Sequence, residues 1–138
     1  MKLSTLMVVN ALIAAVFGVG FVVAPGWVTS LYGPEVTPGL QYVPQLKYVA
    51  QLFGAALFAF AVLTWTARNA PDSETRRAIL LALFVGDGIG FIVSLIGQLG
   101  GAMNALGWLT VVIYLLLALG FGYFFAQPKA ANEARQVM

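Results

Sequence analysis

Ala78-Ile-Leu-Leu-Ala-Leu-Phe-Val-Gly-Asp-Gly-Ile-Gly-Phe-Ile-Val-Ser-Leu-Ile-Gly-Gln-Leu99 is an apolar run whose one formal charge, Asp87, sits inside Gly86-Asp87-Gly88-Ile89-Gly90. A helix crossing a hydrocarbon core about 30 Å thick needs about 20 such residues, so the run reads as a membrane span. A carboxyl group then lies near the bilayer centre, where insertion costs about 2.5–3.5 kcal/mol. The rest of the fold has to offset that cost.

The run is preceded by a charged turn, Arg68-Asn-Ala-Pro-Asp-Ser-Glu-Thr-Arg-Arg77. In it, Asp72 or Ser73 is placed to cap the following helix, and Glu74 suits its positive N-terminal end. Before that turn lies a second apolar run, Tyr48 to Ala67, broken only by Gln51, Thr64 and Thr66. After Leu99, the uncharged turn Gly100-Gly-Ala-Met-Asn-Ala105 leads into a further run from Leu106 to Phe125. The first run of the chain is Leu3 to Ala24, followed by Pro25-Gly26. Val22-Val23-Ala24 resembles a signal-peptide cleavage site. The run, however, exceeds the usual 7–15 apolar residues of a signal segment, and Pro25 would follow the cut. A transmembrane helix is expected there too.

The expected fold is therefore an all-α membrane protein, a four-transmembrane-helix antiparallel bundle. It forms a single domain over 1–138 with spans at about 3–24, 48–67, 78–99 and 106–125 and a polar tail at 126–138. Composition agrees, with 61% hydrophobic and 9% charged residues, against about 45–50% and about 25% in soluble domains. The net charge of +2 and pI near 9.2 do not point to nucleic acid, because the seven basic residues fall at the ends of apolar runs. By the positive-inside rule, Lys2, Arg68, Arg76, Arg77, Lys129 and Arg135 are cytoplasmic and Lys47 is outside, so both termini are inside.

Between the first two spans, Pro25 is suited to start a short helical turn with Trp27, Val28, Leu31 and Tyr32 on one side and Gly33 as its stop. That pattern fits a helix lying in the membrane interface. Pro34, Pro38, Gly39 and Pro44 predict an irregular loop. It is read as a passive connector or as a lid or docking surface. Trp27, Tyr48, Trp65, Trp108 and Tyr123 sit near span ends and read as interface anchors.

Cys and His are both absent. Disulfides, Cys/His zinc sites, His-ligated haem or chlorophyll, Ser–His triads and Cys nucleophiles are excluded together. No catalytic constellation, metal site or cofactor is expected. Chemistry has to be sought among neutral polar side chains around one acid. On a helix, Asp87 shares a face with Gly90, Ser94, Gly97, Gln98 and Gly101, while Ile89, Ile92, Val93 and Ile96 lie opposite. The small, polar face should turn inward, with Gly86, Gly90, Gly97 and Gly101 letting helices approach.

Depth then selects partners. Asp87 lies roughly 13 Å from the start of its span, Asn10 roughly 10 Å from its own, and Tyr114 roughly 12 Å below the outer edge. Asn10 and Tyr114 are the expected hydrogen-bond donors to the acid. Gln51, Ser94 and Gln98 form a second polar level, with Asn104 and Thr110 close in depth.

With the spans in place, the chain resembles small uncharacterised bacterial four-helix membrane proteins of the DoxX-like kind. The likeness rests on Ala24-Pro25 closing the first span, Leu31-Tyr-Gly33, Gln51-Leu-Phe-Gly-Ala55, Arg76-Arg77-Ala-Ile-Leu and Met103-Asn-Ala-Leu-Gly-Trp108. It covers nearly the whole chain, and it implies a four-helix bundle in a bacterial inner membrane without bringing an established chemistry. Small multidrug antiporters are also four-span proteins built around one membrane carboxylate, but theirs is in the first span, where this chain has only Asn10.

Two functional readings follow. In one, the protein is a non-enzymatic structural or accessory subunit, or a homo-oligomeric scaffold, and Asp87 is a structural pin. In the other, it binds, or transports with proton coupling, a small apolar or cationic molecule through Asp87. The lipid bilayer is the expected partner, with a homo-oligomer or a larger membrane complex as open alternatives and no nucleic acid.

Overall fold

In a computed structural model, which describes residues 1–33 and 44–128, the chain is helical, with no strand among the described residues. Its elements are α1 (Leu3–Val23), α2 (Pro25–Ser30), α3 (Pro44–Ala67), α4 (Glu74–Leu99) and α5 (Gly107–Ala126). All but α2 are long and apolar enough to cross a membrane. Their outer faces are apolar and bare, as at Val16, Ile96 and Leu119. In water such a surface would aggregate, whereas in lipid it is an ordinary outer wall.

The helix ends follow local chemistry. Ser73 caps α4, its hydroxyl accepting from the Arg76 N–H at 3.1 Å. Asp72, the other cap candidate, pairs instead with the Arg76 guanidinium at 3.1 Å. Glu74 lies in the first turn, beside the helix's positive end. Pro44, expected in an irregular loop, is the first residue of α3. A proline at that position gives up an N–H that would have no helical partner anyway. Pro25 opens α2 in the same way, but Trp27 is exposed while Val28 is buried, so the two do not share a face. The expected loop through Pro34, Pro38 and Gly39, and the tail with Lys129 and Arg135, lie outside the described residues.

The long helices associate as two antiparallel pairs, α1 with α3 and α4 with α5. In the first pair the backbones touch at Gly18 and Gly54. A Cβ added to Gly54 would stand 2.7 Å from the Gly18 carbonyl oxygen, and one added to Gly18 would stand 2.8 Å from the Phe58 nitrogen. Small residues at a crossing allow such close approach.

The second pair is seated by side chains on glycines: Tyr114 on Gly90, Gln98 on Gly107 and Phe84 on Gly122. Arg77, at the start of α4, donates to the carbonyls of Phe125 and Gln127 at the end of α5, both at 3.2 Å. Those carbonyls have no partner within the helix.

The two pairs meet at one end. Leu6, Met7, Leu80, Leu83, Leu117 and Phe121 form a buried core there, Met7 and Phe121 with no exposed surface, and Leu6 lies over Gly120. From this closed end the pairs diverge.

Helix packing by Gly86, Gly97 and Gly101 needs correction. A Cβ at any of the three would meet nothing within 4 Å. Gly86 is exposed, Gly97 faces a cavity, and Gly101 has left the helix, its φ of 76° serving the turn after α4. Only Gly90 of the four is in close contact with another helix.

Candidate functional site

Beyond the closed end, the space between the two helix pairs is a cavity of about 1040 Å³, reached by side chains of all five helices. Ligand pockets are commonly about 300–1,000 Å³, so it is large enough for a small organic molecule. It runs along α4 from Asp87 to Gln98, about 16 Å at 1.5 Å rise per residue. Its walls are largely apolar and aromatic, with Phe17 and Phe21 from α1, Phe53 and Leu57 from α3, and Ile113 and Tyr114 from α5.

The stripe expected on α4 turns into this space. Asp87, Gly90, Ser94, Gly97 and Gln98 all line it, as the i, i+3, i+4, i+7 spacing requires. Val93, placed on the opposite face, also borders the cavity. Asn10 and Tyr114 reach the same cavity from α1 and α5. Five of the six polar residues read as a site from the sequence are thus brought together: Asp87, Asn10, Tyr114, Ser94 and Gln98. The sixth, Gln51, is elsewhere. Its amide donates to the Val22 carbonyl at 3.0 Å, satisfying an acceptor in the last turn of α1.

The expected bonding around the acid is not what the side chains make. Asn10, 6% exposed, donates its amide to the Thr64 hydroxyl at 3.4 Å. Thr64 has no exposed surface and itself donates to the Phe60 carbonyl at 2.9 Å. This bond joins α1 to α3. Tyr114 covers Gly90, one turn beyond Asp87 on α4. The Asp87 Oδ2 atom is buried and has no hydrogen-bond partner among the described residues. Among the same residues no three His, Cys, Asp or Glu side chains cluster. The Asp87 oxygen is thus an unpartnered acceptor at a largely apolar cavity, and the Gln98 side-chain oxygen, on the same stripe, is buried without a partner as well.

Thr64 was missed as a functional neighbour in the sequence, where it read only as a break in an apolar run. A buried hydroxyl whose partner is replaced costs about 1–3 kcal/mol, whereas removing both partners is close to neutral. Thr64→Val is therefore expected to destabilise the protein by about 1–2 kcal/mol, and adding Asn10→Leu to recover part of that loss. Reversible unfolding in mixed micelles measures both. A neutral Thr64→Val would mean that the bond contributes nothing.

At the far end, α2 and the residues after it close over the turn between α4 and α5. The Asn104 N–H donates to the Tyr32 carbonyl at 2.7 Å, and its side-chain amide donates to the Leu31 carbonyl at 2.9 Å. Its side-chain oxygen accepts from the Leu106 N–H at 2.9 Å, and its carbonyl accepts from the Gln98 amide at 3.1 Å. Thr110 donates to the Tyr32 hydroxyl at 3.2 Å. Asn104 and Thr110 were expected near the outer polar level, but their link to Tyr32 runs partly through backbone carbonyls, which no side-chain pattern signals.

Fold and site together define an all-helical bundle of four membrane-length helices with a partly open cavity between the helix pairs that carries one acid. No known protein family, curated protein or solved structure matches the chain.

Proposed function

We propose that this protein binds a small, largely apolar molecule bearing a positive charge or a strong hydrogen-bond donor, with Asp87 as the charge-selective group. The observation that carries this reading is the buried, unpartnered Asp87 Oδ2 beside a cavity of about 1040 Å³. A carboxyl serving to pin helices would need donors from its neighbours, and Asn10 gives its amide to Thr64. A buried acceptor without a donor is costly, and a ligand that supplies one recovers that cost on binding. The aromatic walls favour a cation in addition, since ring faces attract positive charge. The charge distribution supports an orientation with the closed end, near Lys2, Arg68, Arg76 and Arg77, in the cytoplasm.

The test uses three probes of matched shape: an aromatic primary ammonium, which brings both charge and N–H donors, its neutral carbon isostere, and a carboxylate of the same skeleton. With purified protein in lipid nanodiscs, calorimetry is expected to give at least about tenfold tighter binding of the cation than of the isostere, and no binding of the anion. Equal binding of all three, or of none, would remove the proposal.

A further inference from the structure

We infer that Asn104 and Thr110, bound to Leu31 and Tyr32, form a releasable clasp that controls access to the cavity from its far end. The inference rests on the binding reading only in naming what the access is for; the gate itself stands on geometry. The helix pairs are held at the closed end by a core of large apolar side chains, which fixes a pivot. At the opposite end they are joined by polar bonds, from Asn104 to the Tyr32 and Leu31 carbonyls and from Thr110 to the Tyr32 hydroxyl.

Tyr32, Thr110, Gln98 and Ser30 all border the cavity, so the Thr110–Tyr32 bond lies on its wall at that end, and the Asn104 bonds hold Tyr32 there. Asn104 is exposed, and hydrogen bonds at an exposed site exchange readily with water. Each contributes little net stability, unlike the apolar core at the other end. Such an arrangement opens by local release with the pivot intact. Asn104 acts here as a positioning residue: it holds Tyr32 against the far end of the cavity.

The chain contains no cysteine, so a single thiol reports access. Ser94 lies inside the cavity, and Ser94→Cys is close to isosteric. The measured quantity is the rate at which a water-soluble methanethiosulfonate reagent modifies that thiol in full-length protein in nanodiscs. Asn104→Asp retains the oxygen that accepts from the Leu106 N–H but loses the donor to the Leu31 carbonyl. Thr110→Val removes the tie to the Tyr32 hydroxyl.

Loss of one or two such bonds shifts a closed-to-open ratio by about tenfold. The Ser94→Cys, Asn104→Asp, Thr110→Val protein should therefore react about tenfold faster than Ser94→Cys alone. With Thr110→Val as the only added change, which leaves the turn untouched, acceleration should be about two- to threefold. Unchanged rates in both combinations overturn the clasp. So does a Ser94→Cys thiol that reacts as fast as one introduced by Ala105→Cys on the exposed turn. No ligand enters this measurement. A clasp-dependent rate together with charge-blind probe binding would sustain the gate and reject the binding reading; the converse would reject the gate alone.

Discussion

Asp87→Asn is expected to weaken binding of the primary ammonium probe about 100-fold while leaving the neutral isostere within about twofold. Two unit charges 4 Å apart interact by about 4 kcal/mol at an effective dielectric of 20. Desolvation of both charges takes part of that back. A residual of about 2.7 kcal/mol corresponds to the 100-fold loss. Asparagine keeps the size and one carbonyl-type acceptor of the acid, so the cavity walls around Tyr114 and Gly90 stay in place. The neutral isostere therefore serves as the internal check on folding. If its binding survives and cation preference disappears, Asp87 is the charge-selective group. A variant that still prefers the cation would move that role to the aromatic walls, with Phe17, Phe21 and Phe53 the first to test. Asp87→Ala is the harsher version, because it also enlarges the cavity.

How far the site could be read from sequence depends on what kind of signal each residue emits. Helical spacing alone brought Asp87, Gly90, Ser94, Gly97 and Gln98 onto one line, and that line faces the cavity. Periodicity is a backbone property and survives folding. Depth arithmetic was weaker. It put Asn10 level with Asp87, but Thr64 descends on the antiparallel α3 to a nearby depth, and depth cannot say which of two neighbours an amide will choose.

The clasp left still less trace. Asn104 bonds to the Leu31 and Tyr32 carbonyls, and every residue has a carbonyl. Glycines misled in a different way. Gly86 and Gly90 share a four-residue spacing that fits close packing, yet one is bare and the other lies under a tyrosine ring. A glycine says only that a helix can be approached, and the partner decides whether it is. Gly18 and Gly54, which do set a helix crossing, lie in different spans with nothing in the chain to link them.

Gly54→Ala is expected to destabilise the protein by about 3 kcal/mol or more, and Gly86→Ala to be neutral or to stabilise it by up to about 1 kcal/mol. Overpacking of a tight contact costs about 1–3 kcal/mol when neighbouring side chains can shift. At Gly54 the new methyl would meet the Gly18 carbonyl oxygen at 2.7 Å and the Val22 nitrogen at 3.0 Å. Both are backbone atoms of α1, so relief means moving the whole helix.

Separating α1 from α3 would also strain the Asn10–Thr64 bond, which is already 3.4 Å long. It would displace Phe21 and Phe53, whose rings pack edge to face at 5.4 Å on the cavity wall. Loss of stability and loss of probe binding should therefore appear together in Gly54→Ala. At Gly86 a methyl enters open space, and alanine favours helix over glycine by about 0.8–1.0 kcal/mol. Unfolding in mixed micelles ranks the two variants directly. Equal effects, or a larger cost at Gly86, would mean that the α1–α3 crossing does not run through Gly18 and Gly54.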